Sequence, residues 1–104
     1  MEYKLLVTKP AERDILAICD PVVAVDEKIA TKIATRIYET IGNIHKFPKI
    51  GGSVAERFGI KSTYKYFVVL PYSYIIFYNV VGSTLYINRV VDARRDCVRV
   101  LTLG

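Results

Sequence analysis

Three apolar strings in the second half of the chain decide most of what it can become: "STYKYFVVL" from residue 62, "YSYIIFYNVV" from residue 72 and "TLYINRVVD" from residue 84. Each is rich in Tyr, Val, Ile and Phe, side chains that suit a pleated surface. The intervening "LPYS" and "VGST" are short enough for hairpins, so the spacing predicts three consecutive antiparallel strands. Strands this continuously apolar need cover on both faces. Two predicted upstream helices supply one cover. The other is expected from the chain end, a second copy or a partner.

Upstream, "YKLLVT" from residue 3 reads as a short strand expected to pair within the same sheet. Thr8 and Pro10 mark the turn into a first helix, with Glu12 in its first turn. Ala11, Ile15, Ile18 and Cys19 fall at helical spacing, and Pro21 is expected to end or kink that helix near Asp20. Asp26 is a plausible N-cap for a second helix. After it, Ile29, Ile33, Ile37, Ile41 and Ile44 draw one apolar stripe, with Lys28, Lys32, Arg36 and Glu39 largely off it. "FPKIGG" ends this helix. Residues 48–60 read as a loop with one helical turn at most, and "IGGSVAERFGI" as a flexible connector without a phosphate-loop lysine. "CVRVLTLG" reads as an extended tail. The expected fold is α+β: an N-terminal strand, two packed antiparallel helices, then an antiparallel β-meander.

The 104 residues suit one domain, 1–104. With 52% hydrophobic and 24% charged residues, the chain is globular rather than disordered. Its longest apolar run, residues 66–81, is broken by Pro71 and Ser73 and is too short for a membrane span. "MEYKLLVTKP" lacks a signal-peptide hydrophobic region, so a cytoplasmic protein is expected. Cys19 and Cys97 lie far apart, outside any metal-binding spacing, and read as buried reduced thiols. His45, the only histidine, cannot build a metal site or a triad alone, and reads as a cation at a helix C-terminus. No metal and no cofactor is expected.

The net charge is +5, unevenly spread. Residues 1–52 hold eight Lys/Arg against seven Asp/Glu, whereas residues 53–104 hold seven against three. That field favours nucleic acid or an acidic protein. The charge is densest in "INRVVDARRD", residues 87–96, where Arg89, Arg94 and Arg95 alternate with Asp92 and Asp96.

The order strand–helix–helix–meander, ending in a basic turn, resembles the RelE/ParE family of toxins from type II toxin–antitoxin pairs. "KFPKIG" is similar to the family's Phe-Pro-basic turn, "YFVVLPYSYIIFYNV" to its tyrosine-rich hairpin, and "INRVVDARRD" to the last strand and basic turn of the ParE branch. The resemblance covers about Tyr3 to Asp96. It implies a cytoplasmic toxin, neutralised by a small cognate antitoxin, whose ParE-like members block DNA gyrase. The assemblies it implies are a homodimer or a toxin–antitoxin hetero-oligomer. The alternatives within the family are a ribosome-dependent mRNA endonuclease of the RelE type, and an inactive relative acting only as an antitoxin-binding co-repressor.

Several positions favour the ParE branch. Arg94 matches a phosphate-stabilising arginine of the ribonucleases. However, Tyr66, Val68 and Ile75 stand where those enzymes commonly carry Lys or Arg, and Val100 replaces a frequent tyrosine. Metal-free RNA cleavage needs a base, an acid and charge stabilisation, and only the stabiliser is visible. One position departs from the ParE branch as well: its histidine corresponds here to Asp92, so the turn has lost one basic group. The candidate target-binding residues are therefore Arg89, Arg94, Arg95 and Tyr74. Against this, Arg89 also reads as a structural arginine paired with Asp92 or Asp96, and Arg94 and Arg95 as a solvated hairpin end. Tyr64, Tyr66, Tyr72, Tyr74, Tyr78 and Tyr86 read as core or interface residues, or as a base-stacking platform.

Overall fold

The computed structural model describes residues 2–94. Strand β1 (Lys4–Val7) leads into helix α1 (Lys9–Val23) and helix α2 (Glu27–Lys46). A 3₁₀ turn (Pro48–Ile50), a two-residue strand β2 (Gly52–Ser53) and a short helix α3 (Val54–Phe58) follow. The meander is β3 (Lys65–Val69), β4 (Tyr74–Val81) and β5 (Thr84–Asp92). The sheet order is β1-β5-β4-β3-β2. Every neighbouring pair is antiparallel except β1 with β5, which run parallel from Lys4 opposite Thr84 to Val7 opposite Ile87. The fold is α+β, as expected.

Capping sets the helix starts. Thr8 Oγ1 accepts from Ala11 N–H and donates to the Asn88 carbonyl, fastening the start of α1 to β5. Asp26 Oδ1 accepts from the N–H groups of Lys28 and Ile29 at the start of α2. Pro21 does not end α1, which runs on to Val23. The proline sits in the last turn, and the helix stops two residues after it. In α2 the stripe is buried at Ile33, Ile37, Ile41 and Ile44, whereas Ile29, in the first turn, is exposed. His45 lies in the last turn of α2, where its Nε2 meets the carbonyl of Tyr3 and ties that helix end to the chain entering β1.

The helices cover one face of the sheet. Ala11, Ile15, Cys19 and the α2 isoleucines pack on Val69, Ile76, Tyr78, Leu85, Ile87 and Val90. Burying a side chain of this size stabilises by about 1.5–3 kcal/mol. Part of the opposite face has an internal cover that the sequence reading assigned elsewhere: Val54 of α3, with Phe58, Ile60 and Tyr64, packs on Ile75, Phe77 and Val91. The glycine pair is likewise not a slack connector. A Cβ on Gly51 would meet the Tyr78 hydroxyl at 2.3 Å, and one on Gly52 the Tyr66 ring at 2.7 Å. These close approaches let β2 pair with β3. The β4–β5 turn is Gly82-Ser83, and Gly82 has φ 62°, the left-handed conformation a primed hairpin turn requires. Cys19 is a buried free thiol, while Cys97 and the expected tail lie outside the described residues.

Candidate target-binding site

Strand β1 stops at Val7 because Thr8 turns the chain into α1, so the β1 side of β5 loses its ladder partner beyond this point. A carboxylate takes over. Asp14 Oδ2 accepts from Val90 N–H at 2.9 Å and from Arg89 Nε at 2.7 Å, and Oδ1 accepts from Arg89 Nη2 at 2.9 Å. Arg89 is therefore paired with Asp14, not with Asp92 or Asp96 as the sequence alone suggested. The cause is local: beyond the end of β1 the Asp14 carboxylate lies at the edge of β5, where it takes the Val90 N–H, and Arg89, next to Val90 and opposite Phe77 after a bulge in β5, reaches it along that edge. The planar fork of the guanidinium matches the carboxylate, and this hydrogen-bonded contact raises the Arg89 pKa further above its ordinary value.

The end of β5 forms a second cluster. Tyr74, at the start of β4, stands opposite Asp92, and Ala93 N–H donates to the Ser73 carbonyl at 2.7 Å. Asp92 Oδ1 accepts from Arg94 N–H at 2.9 Å and from Arg94 Nε at 3.2 Å, and Oδ2 accepts from Nη2 at 3.2 Å. The Arg94 side chain remains 74% exposed while Asp92 is 19% exposed. Burial, then the charge of Asp92, raises the Tyr74 pKa, with Arg94 acting in the opposite direction. The phenol is thus a neutral donor at ordinary pH. The Tyr72 ring lies beside it, centroids 5.8 Å apart. A neutral phenol and a solvent-facing guanidinium at one strand end suit an anionic group, carboxylate or phosphate.

The structure thus joins Tyr74 and Arg94 through Asp92 and engages Arg89 separately through α1. Arg95 lies outside the described residues. The tyrosines form no common platform. Tyr64 and Tyr66 pack into the α3-covered cluster, Tyr78 is buried on the helix side, and Tyr72 and Tyr74 border the β5 end. Asp14 escaped the sequence reading, although its position carried a signal. It falls three residues after Ala11 and four before Ile18, on the apolar side of α1, where a carboxylate calls for a cation or N–H donors. Among the described residues no cluster of metal-ligating side chains is present, and no helix is long and apolar enough to cross a membrane.

A family model described as the ParE toxin of the type II toxin–antitoxin system parDE matches residues 5–97. No curated protein matches the chain. Among solved structures, one from P. aeruginosa described as a chromosomal ParDE toxin–antitoxin system has a TM-score of 0.73 at 19% identity, covering 86% of this chain and 95% of that one. That likeness is one of fold.

Proposed function

Because the chain belongs to the ParE toxin family of type II toxin–antitoxin systems, we propose that it arrests growth by binding DNA gyrase in the cytoplasm and is silenced by a small cognate antitoxin. Residues 1–104 act as one toxin domain in this reading, in a toxin–antitoxin hetero-oligomer. The observation that carries it is Arg94, a solvent-facing guanidinium held at the end of β5 beside Tyr74. Such a group grips a carboxylate or phosphate without chemistry of its own. Arg95, next in the sequence, adds a second positive charge.

The surroundings of Arg94 favour grip over cleavage. His45 is engaged at the Tyr3 carbonyl, away from this turn. Asp92 already holds Arg94, and Tyr74 keeps its proton. None of these is a ready general base. The test is a supercoiling assay with purified gyrase, alongside growth after induction. Wild-type protein is expected to inhibit supercoiling, and Arg94→Ala to weaken inhibition about 30-fold, the loss typical of an anchoring arginine. Undisturbed supercoiling, together with cleavage of translated messages that Arg94→Ala abolishes, would establish the endonuclease reading instead.

A further inference from the structure

We propose that the cup at the C-terminal end of α2 is a docking site for an acidic peptide segment bearing a bulky apolar anchor. Its natural carrier is the antitoxin, and in that respect the proposal rests on the functional reading above. The cup has a volume of about 490 Å³ and is lined by Tyr3, Lys46, Phe47, Pro48, Lys49 and Ile50. Phe47 is 63% and Ile50 41% exposed. The other three phenylalanines of the chain are buried or half-buried. A large aromatic presented to water beside a second apolar side chain marks a contact surface more than a fold requirement.

Rigidity supports a binding role. Buried Tyr78 donates its hydroxyl to the Pro48 carbonyl at 2.7 Å and accepts from Gly51 N–H at 2.9 Å. Ile50 N–H donates to the Phe47 carbonyl at 3.0 Å, and Phe47 N–H to Asn43 at the helix end. The opposite wall is tied down where His45 meets the Tyr3 carbonyl. The cup therefore presents its apolar groups in a fixed arrangement, which lowers the ordering cost of binding.

Charge selects the occupant. Lys46 and Lys49 flank the apolar floor, both are exposed, and no acidic side chain lines the cup. Neither lysine has a salt-bridge partner among the described residues. A segment alternating carboxylates with a Leu or Phe satisfies both features at once. The chain's own residues 97–104 carry Arg99 and no acid, so they lack the complementary charge.

The test uses the full chain and a short synthetic peptide of glutamates around a Leu-Phe pair, followed by NMR. Shifts are expected to centre on Tyr3 and residues 46–50, and binding to weaken as salt is raised. Phe47→Ser and Lys49→Glu, both at exposed side chains, are each expected to weaken binding about tenfold, as is replacing the peptide's Leu-Phe by Ala-Ala. Shifts centred elsewhere, or unchanged binding by Phe47→Ser, would overturn the proposal. So would tighter binding of an oligothymidylate to the same residues, or removal of residues 97–104 proving necessary before the peptide binds. Pull-down with the acidic protein encoded next to the toxin separates the two readings. Equal capture by wild type and Phe47→Ser overturns the cup alone. If no such protein is captured by the wild type, the toxin–antitoxin reading falls and the peptide titration alone decides the cup.

Discussion

The Asp14 carboxylate accepts two hydrogen bonds from Arg89 and one from the Val90 N–H. Replacing it by alanine strands a backbone donor and a guanidinium together. Asp14→Ala is expected to lower stability by about 2 kcal/mol in urea unfolding. Asp14→Asn, which keeps an oxygen acceptor, is expected to lose about half of that. Asp92 acts differently. It accepts from the Arg94 N–H and also occupies the Arg94 guanidinium, so any incoming anion must displace an internal one. Asp92→Asn keeps an oxygen for the turn and removes the competing charge. It is expected to arrest growth at lower inducer levels than wild type, in a dose–response of growth against induction. Weaker arrest at unchanged melting temperature would show that Asp92 serves the target contact itself. The charged turn was plain in "INRVVDARRD", but its internal pairing was not. The sequence offered Arg89 two neighbouring aspartates, Asp92 and Asp96, and only the packing of α1 on β5 brings Asp14 to it.

At the scale of elements, the long periodic segments and the four-residue β1 were legible, whereas α3 registered only as one helical turn allowed within a loop. The α2 stripe and the three strands follow from spacing alone, because each buries a repeating apolar set. Helix α3 has only five residues, too few for periodicity to register. Its signals were there in chemistry: Ser53 accepts from Glu56 N–H as an N-cap, with the glutamate at the capping-box position, and Gly59 ends the helix in the left-handed conformation. The segment from Phe47 to Gly52 is likewise ordered by one distant group, the Tyr78 hydroxyl. Burial raises the Tyr78 pKa, partly offset by the bond from Gly51 N–H. The sign follows directly. The folded pKa lies above the unfolded value of about 10, so the associated stability is intact below pH ~10 and is lost as pH rises through the folded value. Tyr78→Phe is expected to destabilise by about 1–3 kcal/mol at neutral pH, since Pro48 and Gly51 lose their partner. It is also expected to flatten the alkaline fall in melting temperature, read by circular dichroism from neutral pH upward.

Across the whole molecule, the sheet separates two apolar clusters, one under α1 and α2 and the other under α3. The sequence demanded cover on both faces, yet its second cover came from a segment that looked like a connector. The basic excess of residues 53–104 is only partly visible as a site, since Arg95 lies outside the described residues and Arg89 is internally paired. A cognate antitoxin that binds only the folded toxin is expected to raise its melting temperature with concentration, and a calorimetric titration measures this. The parallel pairing of β1 with β5 has a further consequence, for the order of events during synthesis. β5 lies between β1 and β4, but it is translated after every other element described here. Until residues 84–92 are available, the first strand has no neighbour, α1 has no Val90 N–H to cap, and Tyr74 has no Asp92 opposite it. Strand closure and the Asp92–Arg94 pairing thus become possible together, after the rest of the described fold has been made.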